Sequence, residues 1–408
     1  MNHFFKVRSL EEVMDRVKDF SFVESEIIPV FDSFSRVLAE DLVAKTDMPG
    51  FRRATMDGYA VAANSTFGAS ESNPAWLEIS GTVSMGDIPC FTVEAGQAVK
   101  ISTGGMLPKG ADSVVMVEHT ELIDEKSVEI YKSVAPLQNV IEASEDFAEN
   151  EIVLSKGTYI RPQEEGLAAG LGFSKIRVYK RPRVGIISTG DEIVSIEEDP
   201  LPGKIRDINS YTLSGFIKEG HGEPVCYGII KDDPATLKKA LEKALNETDM
   251  VLISGGSSVG TRDFTIDVIS CLPDTEILAH GMSISPGKPT ILARVGEKPV
   301  WGLPGQVVSA MVVLKIVVIP FLNRLKGLDN RDRTIRVPAI LSRNVASAQG
   351  RREFIRVLLE HQEGRMIAKP VLGKSGLIRT MIHADGLLEI GEHVEGVEKD
   401  SLVHIILL

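Results

Sequence analysis

Three glycine-rich loops carry the residues best suited to chemistry. STGDEI (188–193) follows the apolar run VGII, and SGGSSVGTRDF (254–264) follows VLI; PGKPT (286–290) leads on to GLPGQVVSA (302–310). Glycine lets backbone N–H groups come close to phosphate or ring oxygens. GLPGQVVSA also runs into a helix, whose N-terminal N–H groups favour an anion. Carboxylates lie inside or just after these loops: Asp191, Glu192 and Asp263. Beside an anion site a carboxylate suits divalent-cation binding or proton transfer. An Asx turn or helix cap accounts equally well for Asp191, and less well for Asp263. Asp57 lies apart, in MDGYA. Lys288, in PGKP, is an anion contact or a solvated lysine. In GRREFIRV (350–357), Arg352 and Arg356 read as surface charges on a strand, while Arg351, directly after a glycine turn, is placed to reach a shared site. A single glycine loop can be only a turn. Three on one sheet edge, each followed by polar groups, favour a binding site. None has GxGxxG or GxxxxGK[ST] spacing, so dinucleotide-fold and P-loop readings fail.

The elements that must position these loops are legible as changes of texture. RVGIIST, PVCYGIIKD and DMVLISGG read as strands, alternating with helices TLSGFIKEG and DPATLKKALEKAL, which indicates βαβ units and a parallel sheet over about 179–326. Loops at the carboxyl ends of such strands form the expected ligand edge. The apolar stretch from Val307 to Leu322 contains Lys315 and Pro320, is short for a membrane span, and reads as a buried helix. Upstream, Ser9 and Glu12 form a capping-box pattern for a helix from Ser9 to Phe20, and a second short helix is expected from Phe31 to Leu42. WLEISGTV, QAVKIST, SVVMVEHTEL and VEIYKSV, separated by Gly, Pro and Asp clusters, predict a mainly β unit. Pro162 opens a short helix over 161–173. After Gly327 the texture is β again, as a small barrel or sandwich.

Composition limits the functions. The chain has 408 residues and a net charge of −12, with 43% hydrophobic and 25% charged residues, an ordinary globular balance. At roughly 150 residues per domain, that length suggests two to four domains. The acidic balance argues against a dedicated nucleic-acid binder. Cys90, Cys226 and Cys271 are scattered, with no CxxC pair, and the histidines form no HxxxH or HExxH, so zinc and disulfide frameworks are not expected. The first residues become charged at once, unlike a signal peptide, and a cytoplasmic protein without membrane attachment is expected.

Taken together, the motifs resemble the molybdopterin molybdenumtransferase family, which includes the gephyrin E domain. The matching segments are MDGYAV (56–61), STGGMLPKGADSVVMVE (102–118), ED (145–146), STGDE (188–192), SGGSSVGTRDF, PGKP (286–289), GLPG (302–305), VSA (308–310) and GRREFIRV, in the family's order. The resemblance implies a multidomain α/β and β fold. An elongated α+β domain (1–48 and 144–178) is interrupted by an inserted mainly β domain (49–143). A three-layer α/β molybdopterin-binding domain (179–326) and a C-terminal β-barrel (327–408) follow. It implies a homodimer whose cleft joins the α/β domain of one subunit to the β domain of the other. Exchange partners would be a molybdopterin adenylyltransferase and a molybdoenzyme or carrier. The implied reaction converts adenylylated molybdopterin and molybdate to molybdenum cofactor and AMP, with Mg²⁺. The alternative is a pterin carrier or assembly protein on the same scaffold, or one that uses tungstate.

Carried over by matching position, Asp57, Thr103 and Asp146 resemble residues reaching across the dimer cleft. Glu192 and Asp263 resemble the acidic, metal-binding residues of the pterin and nucleotide pocket. Ser188, Thr189, Gly190, Asp191, Ser254, Gly255, Gly256, Ser258, Gly260, Pro286, Gly287, Pro304 and Gly305 fall in the pterin-binding loops. Lys288, Arg351 and Ser375 resemble the oxyanion-contacting set. Asp57, Asp146, Glu192, Asp263 and Lys288 are the implied catalytic residues. The chain departs from the family pattern at Ser285, where KPGKP has lysine, at Ile141 and Ser144, where the family has Arg and Gly, and at Gln306 and Val307. Two of these changes remove a positive charge, which Arg206 and Arg262 are available to replace.

Overall fold

The computed structural model describes residues 7–255, 264–328 and 334–408. It contains two compact units. One comprises the chain up to Ala39, Gly157–Arg161 and Lys175–Leu408; the other comprises Glu40–Lys156 and Pro162–Ser174.

The first unit is built on a six-stranded sheet ordered Glu223–Ile230, Arg183–Thr189, Met250–Ser254, Lys298–Leu303, Ile291–Val295, Thr275–His280. The first four strands are parallel, as the βαβ pattern predicts. The last two are antiparallel, because Gly296 and Glu297 alone separate Ile291–Val295 from Lys298–Leu303 and so short a loop cannot make a parallel crossover. Alternate residues of the central strands face opposite layers. Ile186, Leu252 and Trp301 pack with Leu213 and Ile217 of helix Asn209–Glu219 and with the helical run that begins at Val307. Ile187, Val251, Ile253 and Val300 pack with Leu237, Leu241 and Ala244 of helix Pro234–Glu247. Sheets covered on both faces need such continuous apolar strands. The run Val307–Leu325 is long and apolar enough to cross a membrane, but most of it is buried in this core, as its lysine and proline suggest.

At the N-terminus, Glu12 N–H donates to Ser9 Oγ at 3.1 Å and Ser9 N–H to Glu12 Oε2 at 2.9 Å, so the capping box forms. Its helix, Leu10–Met14, continues as a 3₁₀ turn, Asp15–Asp19. The helix expected from Phe31 to Leu42 does not form. Only a 3₁₀ turn, Val30–Asp32, is present. Beyond it Ser35 has φ 64°, and the N–H groups of Ser35, Leu38 and Ala39 donate to the carbonyls of Ile160, Thr158 and Arg177. Tertiary backbone partners outweigh helical spacing there. After residue 334 the strands Arg352–Gln362, Arg365–Pro370, Arg336–Leu341, Leu402–Leu407 and Gly386–Ile390 close back onto Arg352–Gln362, which makes a barrel rather than a sandwich. Its interior holds Leu341, Val357, Leu388 and Ile405.

The second unit is a six-stranded β-sheet ordered Ser113–Met116, Gly58–Val61, Gln97–Ile101, Ala75–Val83, Ser127–Ile130, Thr120–Asp124. SVVMVEHTEL, one run in the sequence, is two strands joined by a 3₁₀ turn, Val117–His119. Pro162 opens the helix Pro162–Gly170 as expected.

Candidate pterin and oxyanion site

Three of the parallel strands end side by side, and two of them end on hydroxyl residues. Ser188 and Thr189 end one strand, Ser254 ends its neighbour, and Leu303 leads the third into Pro304 and Gly305. Gly255 follows with φ 105°, and a Cβ there would lie 2.0 Å from the Thr189 carbonyl oxygen. That strand end therefore requires glycine. Gly256, Ser258, Gly260, Arg262 and Asp263 lie outside the described residues.

Side chains that the sequence reading missed organise this edge. Buried Asp207 accepts from Ser188 Oγ and from Ser210 N–H, both at 3.0 Å. Asn209 Nδ2 donates to Ser254 Oγ at 2.6 Å and to the Gly305 carbonyl at 2.9 Å, so one side chain ties the second loop to the third. Asp232 accepts from Thr189 Oγ1 at 2.9 Å. The signals were present: Asp207 stands three residues before a helical N–H it caps, and Asp232 follows a strand at the ligand edge. Asp191 and Glu192 are exposed on the flap that follows. Asp191 has the turn role weighed for it: its Oδ1 accepts from Asp232 N–H at 3.3 Å, and its carbonyl from Lys204 Nζ at 2.5 Å. Arg206 does not replace a missing cation, because its guanidinium bonds Asp199 at 2.8 Å and the Glu198 carbonyl at 3.0 Å within that flap.

The PGKP loop is fastened to the barrel. Ile284–Ser285 pairs in parallel with Arg352 and Glu353. Thr290 Oγ1 donates to the Gly287 carbonyl at 2.6 Å, Met282 N–H to the Lys288 carbonyl at 2.9 Å, and the Lys288 side chain stays exposed. Gly287 has φ 121°, and a Cβ would come within 2.5 Å of Val313 Cγ2. Val308 N–H, near the helix start expected to face an anion, donates instead to the Ser375 carbonyl at 3.0 Å, which brings Ser375 to GLPGQVVSA.

The three arginines of GRREFIRV differ in their surroundings. Arg351 is ion-paired with Glu353 at 2.9 Å, a carboxylate that is itself buried. Arg352 is partly buried, paired with Glu389 at 2.8 Å and with Glu11. Arg356 is not a surface charge: it is 7% exposed. It donates through Nη2 to the Gly373 carbonyl at 2.8 Å, and its Nε is buried without a partner. Among the described residues no carboxylate forms an ion pair with it, and burial pushes its pKa down. Arg356 is thus a buried guanidinium bonded to the backbone two residues before Ser375, without a carboxylate partner among the described residues.

In the second unit, Asp57 Oδ1 accepts from Thr103 N–H at 2.7 Å and from Thr103 Oγ1 at 3.0 Å, and these two bonds hold its carboxyl below the usual range. Asp146 is exposed and donates its N–H to the Met48 carbonyl at 3.0 Å. Ser144 has φ 58°, a left-handed conformation that favours glycine. Ile141 pairs with Arg53 in a two-residue ladder, beside an Arg52–Glu142 ion pair at 2.5 Å. Among the described residues, no group of three or more His, Cys, Asp or Glu side chains is arranged to hold a metal ion.

Residues 8–172 match the family model described as "MoeA N-terminal region (domain I and II)", residues 185–324 "Probable molybdopterin binding domain" and residues 338–408 "MoeA C-terminal region (domain IV)". A Methanocaldococcus jannaschii protein named for molybdopterin biosynthesis is 40% identical over 408 residues, covering 98% of this chain and 95% of its own. A molybdopterin molybdenumtransferase 2 of Mycobacterium tuberculosis is 33% identical over 384 residues, covering 93% and 94%. The crystal structure of a molybdopterin biosynthesis moeA protein from Pyrococcus horikoshii OT3 superposes with a TM-score of 0.85 at 35% identity, covering 99% and 100%.

Proposed function

The chain belongs to the MoeA family, and from that premise we propose that it is a molybdopterin molybdenumtransferase: it inserts molybdenum from molybdate into adenylylated molybdopterin and releases AMP. The observation that carries the residue assignment is the convergence at one sheet edge of Ser188, Thr189, Ser254 and Gly305, joined through Asp207 and Asn209. Backbone and hydroxyl groups there suit a pterin with its phosphate. Lys288, Arg356 and Ser375 hold the molybdate dianion, with Arg356 supplying a charge that water screens little. Arg351, neutralised by Glu353, has a smaller part than its motif position suggests.

Mg²⁺ belongs to the same proposal. It usually takes one or two protein carboxylates and completes its shell with phosphate oxygens and water, so exposed Glu192 fits the requirement without a preformed cage. When bound it would offset phosphate charge. Glu192 would hold the ion beside the phosphate. A cytoplasmic homodimer completes the reading. Phe31 is 90% exposed, with Ile27 and Phe34 also more than half exposed, an apolar stretch suited to a subunit interface. The test is to incubate purified protein with adenylylated molybdopterin, Mg²⁺ and molybdate. Molybdate-dependent AMP release is expected. Pterin binding without AMP release would instead identify a carrier.

A further inference from the structure

Asn209 has two amide donors and a carbonyl with two lone pairs. Both donor contacts are accounted for, at Ser254 Oγ and the Gly305 carbonyl. The amide cannot be turned over, because that would set its oxygen against the Gly305 oxygen. Among the described residues its Oδ1 has no partner, and the residue is buried, 6% exposed. Buried polar atoms left unpaired are rare and call for a specific cause. The clamp between loops explains the donors and leaves the acceptor unexplained. Ser254 is also fully buried, and its Oγ accepts from Asn209, so the hydroxyl proton is left over to donate. An acceptor and a donor therefore stand side by side where the parallel strands end.

We propose that Asn209 and Ser254 form a subsite for the lactam edge of the pterin: Asn209 Oδ1 accepts the ring N–H, and the Ser254 hydroxyl donates to the adjacent ring carbonyl. This rests on the molybdopterin reading above and adds to it the residues that recognise the ring. The amino edge of adenine offers the same pairing of donor and acceptor, so pterin and nucleotide are to be tested separately. A site built to hydrogen-bond a ring N–H rejects analogues lacking it, because its own buried groups are then left unpaired.

The full-length protein is titrated calorimetrically with a stable oxidised pterin carboxylate, with the same pterin methylated on the lactam nitrogen, with AMP and with molybdate. Asn209→Ala and Ser254→Ala should each weaken pterin binding about tenfold to a hundredfold. Molybdate and AMP affinities should stay within about twofold. The methylated pterin should bind wild type no better than unmodified pterin binds Asn209→Ala. If loss of the clamp unfolds Asn209→Ala, Ser254→Ala and the methylated ligand still decide the question. Unchanged pterin affinity in folded variants, equal binding of the methylated pterin, or loss of AMP binding in place of pterin would each overturn the subsite. Wild type that binds neither pterin nor AMP would instead overturn the molybdopterin reading itself.

Discussion

Replacing Arg356 with methionine separates a ligand-binding arginine from a structural one. The side chain is 7% exposed, bonds one carbonyl, and has no carboxylate ion pair among the described residues. Replacing buried ionic groups by apolar ones of similar volume is often neutral or stabilising by about 1–4 kcal/mol. Against that stands the lost hydrogen bond to the Gly373 carbonyl, about 1 kcal/mol. Arg356→Met should therefore unfold between roughly 0 and 3 kcal/mol later than wild type without molybdate, by that difference. A charge-assisted contact to a dianion contributes about 1.5–3 kcal/mol, so molybdate should bind about tenfold to 150-fold more weakly. At a molybdate concentration near one hundred times the wild-type Kd, linkage stabilises wild type by about 2.7 kcal/mol and the variant by only about 0.3–1.4. Thermal melts of both proteins, with and without molybdate, read both quantities. A variant that melts earlier without molybdate yet keeps the wild-type shift with it would show that Arg356 is structural, and the oxyanion assignment would fail.

Removing only the hydroxyl with Thr103→Val should raise the Asp57 pKa part of the way back, since the backbone N–H bond remains; a carboxyl-carbon NMR titration that finds no change would refute the cause given. Because the folded pKa is lowered, the Asp57 contribution to stability is present above the unfolded value, near pH 4, and is lost as pH falls through the folded value. Wild type and Thr103→Val should therefore converge in strong acid as far as this contribution goes. Gly255→Ala sets a Cβ against the Thr189 carbonyl at φ 105° and should cost at least about 2 kcal/mol, measured by denaturant unfolding; a loss under about 0.5 would mean the strand end yields easily. Ser144→Gly relieves about 1–2 kcal/mol of left-handed strain but adds up to about 1 kcal/mol of unfolded-state entropy. The net effect should be neutral to about 1 kcal/mol stabilising by chemical denaturation, and clear destabilisation would contradict the strain argument.

The fold was legible wherever a segment is stabilised by its own neighbours. The capping box at Ser9 and Glu12, the proline-led helix at Pro162 and the apolar strands of the central sheet are signals carried within a few residues, and all three form. The stretch after Phe31 shows the limit. Leu38 and Leu42 have helical spacing, yet the backbone donors there find carbonyls more than a hundred residues away, and no local pattern encodes such a partner. Likewise, barrel closure depends on Gly386–Ile390 meeting both Leu402–Leu407 and Arg352–Gln362, a non-local condition that left barrel and sandwich equally open in the sequence.

The site divides along the same line. Glycine loops and exposed carboxylates declare themselves by type and position, which is why Ser188, Ser254 and Glu192 could be named. Charge partners do not. Arg351, Arg352 and Arg356 are alike in the sequence, and strand alternation places Arg352, Phe354 and Arg356 on one face. Phe354 belongs to the buried core between sheet and barrel, so that face turns inward. The reading as surface charges overlooked this, although the period-two pattern was visible. What remained hidden was Glu353, which lies in register with Ser285 on the neighbouring strand and is neutralised by Arg351. A lysine at this position, as in the KPGKP pattern of the resemblance, would stand beside the Glu353 carboxylate and compete with Arg351 for it. With serine there, Arg351 alone balances Glu353. On the proposed reading, serine in place of lysine would remove one cation and commit a second, leaving buried Arg356 and exposed Lys288 to meet an incoming dianion.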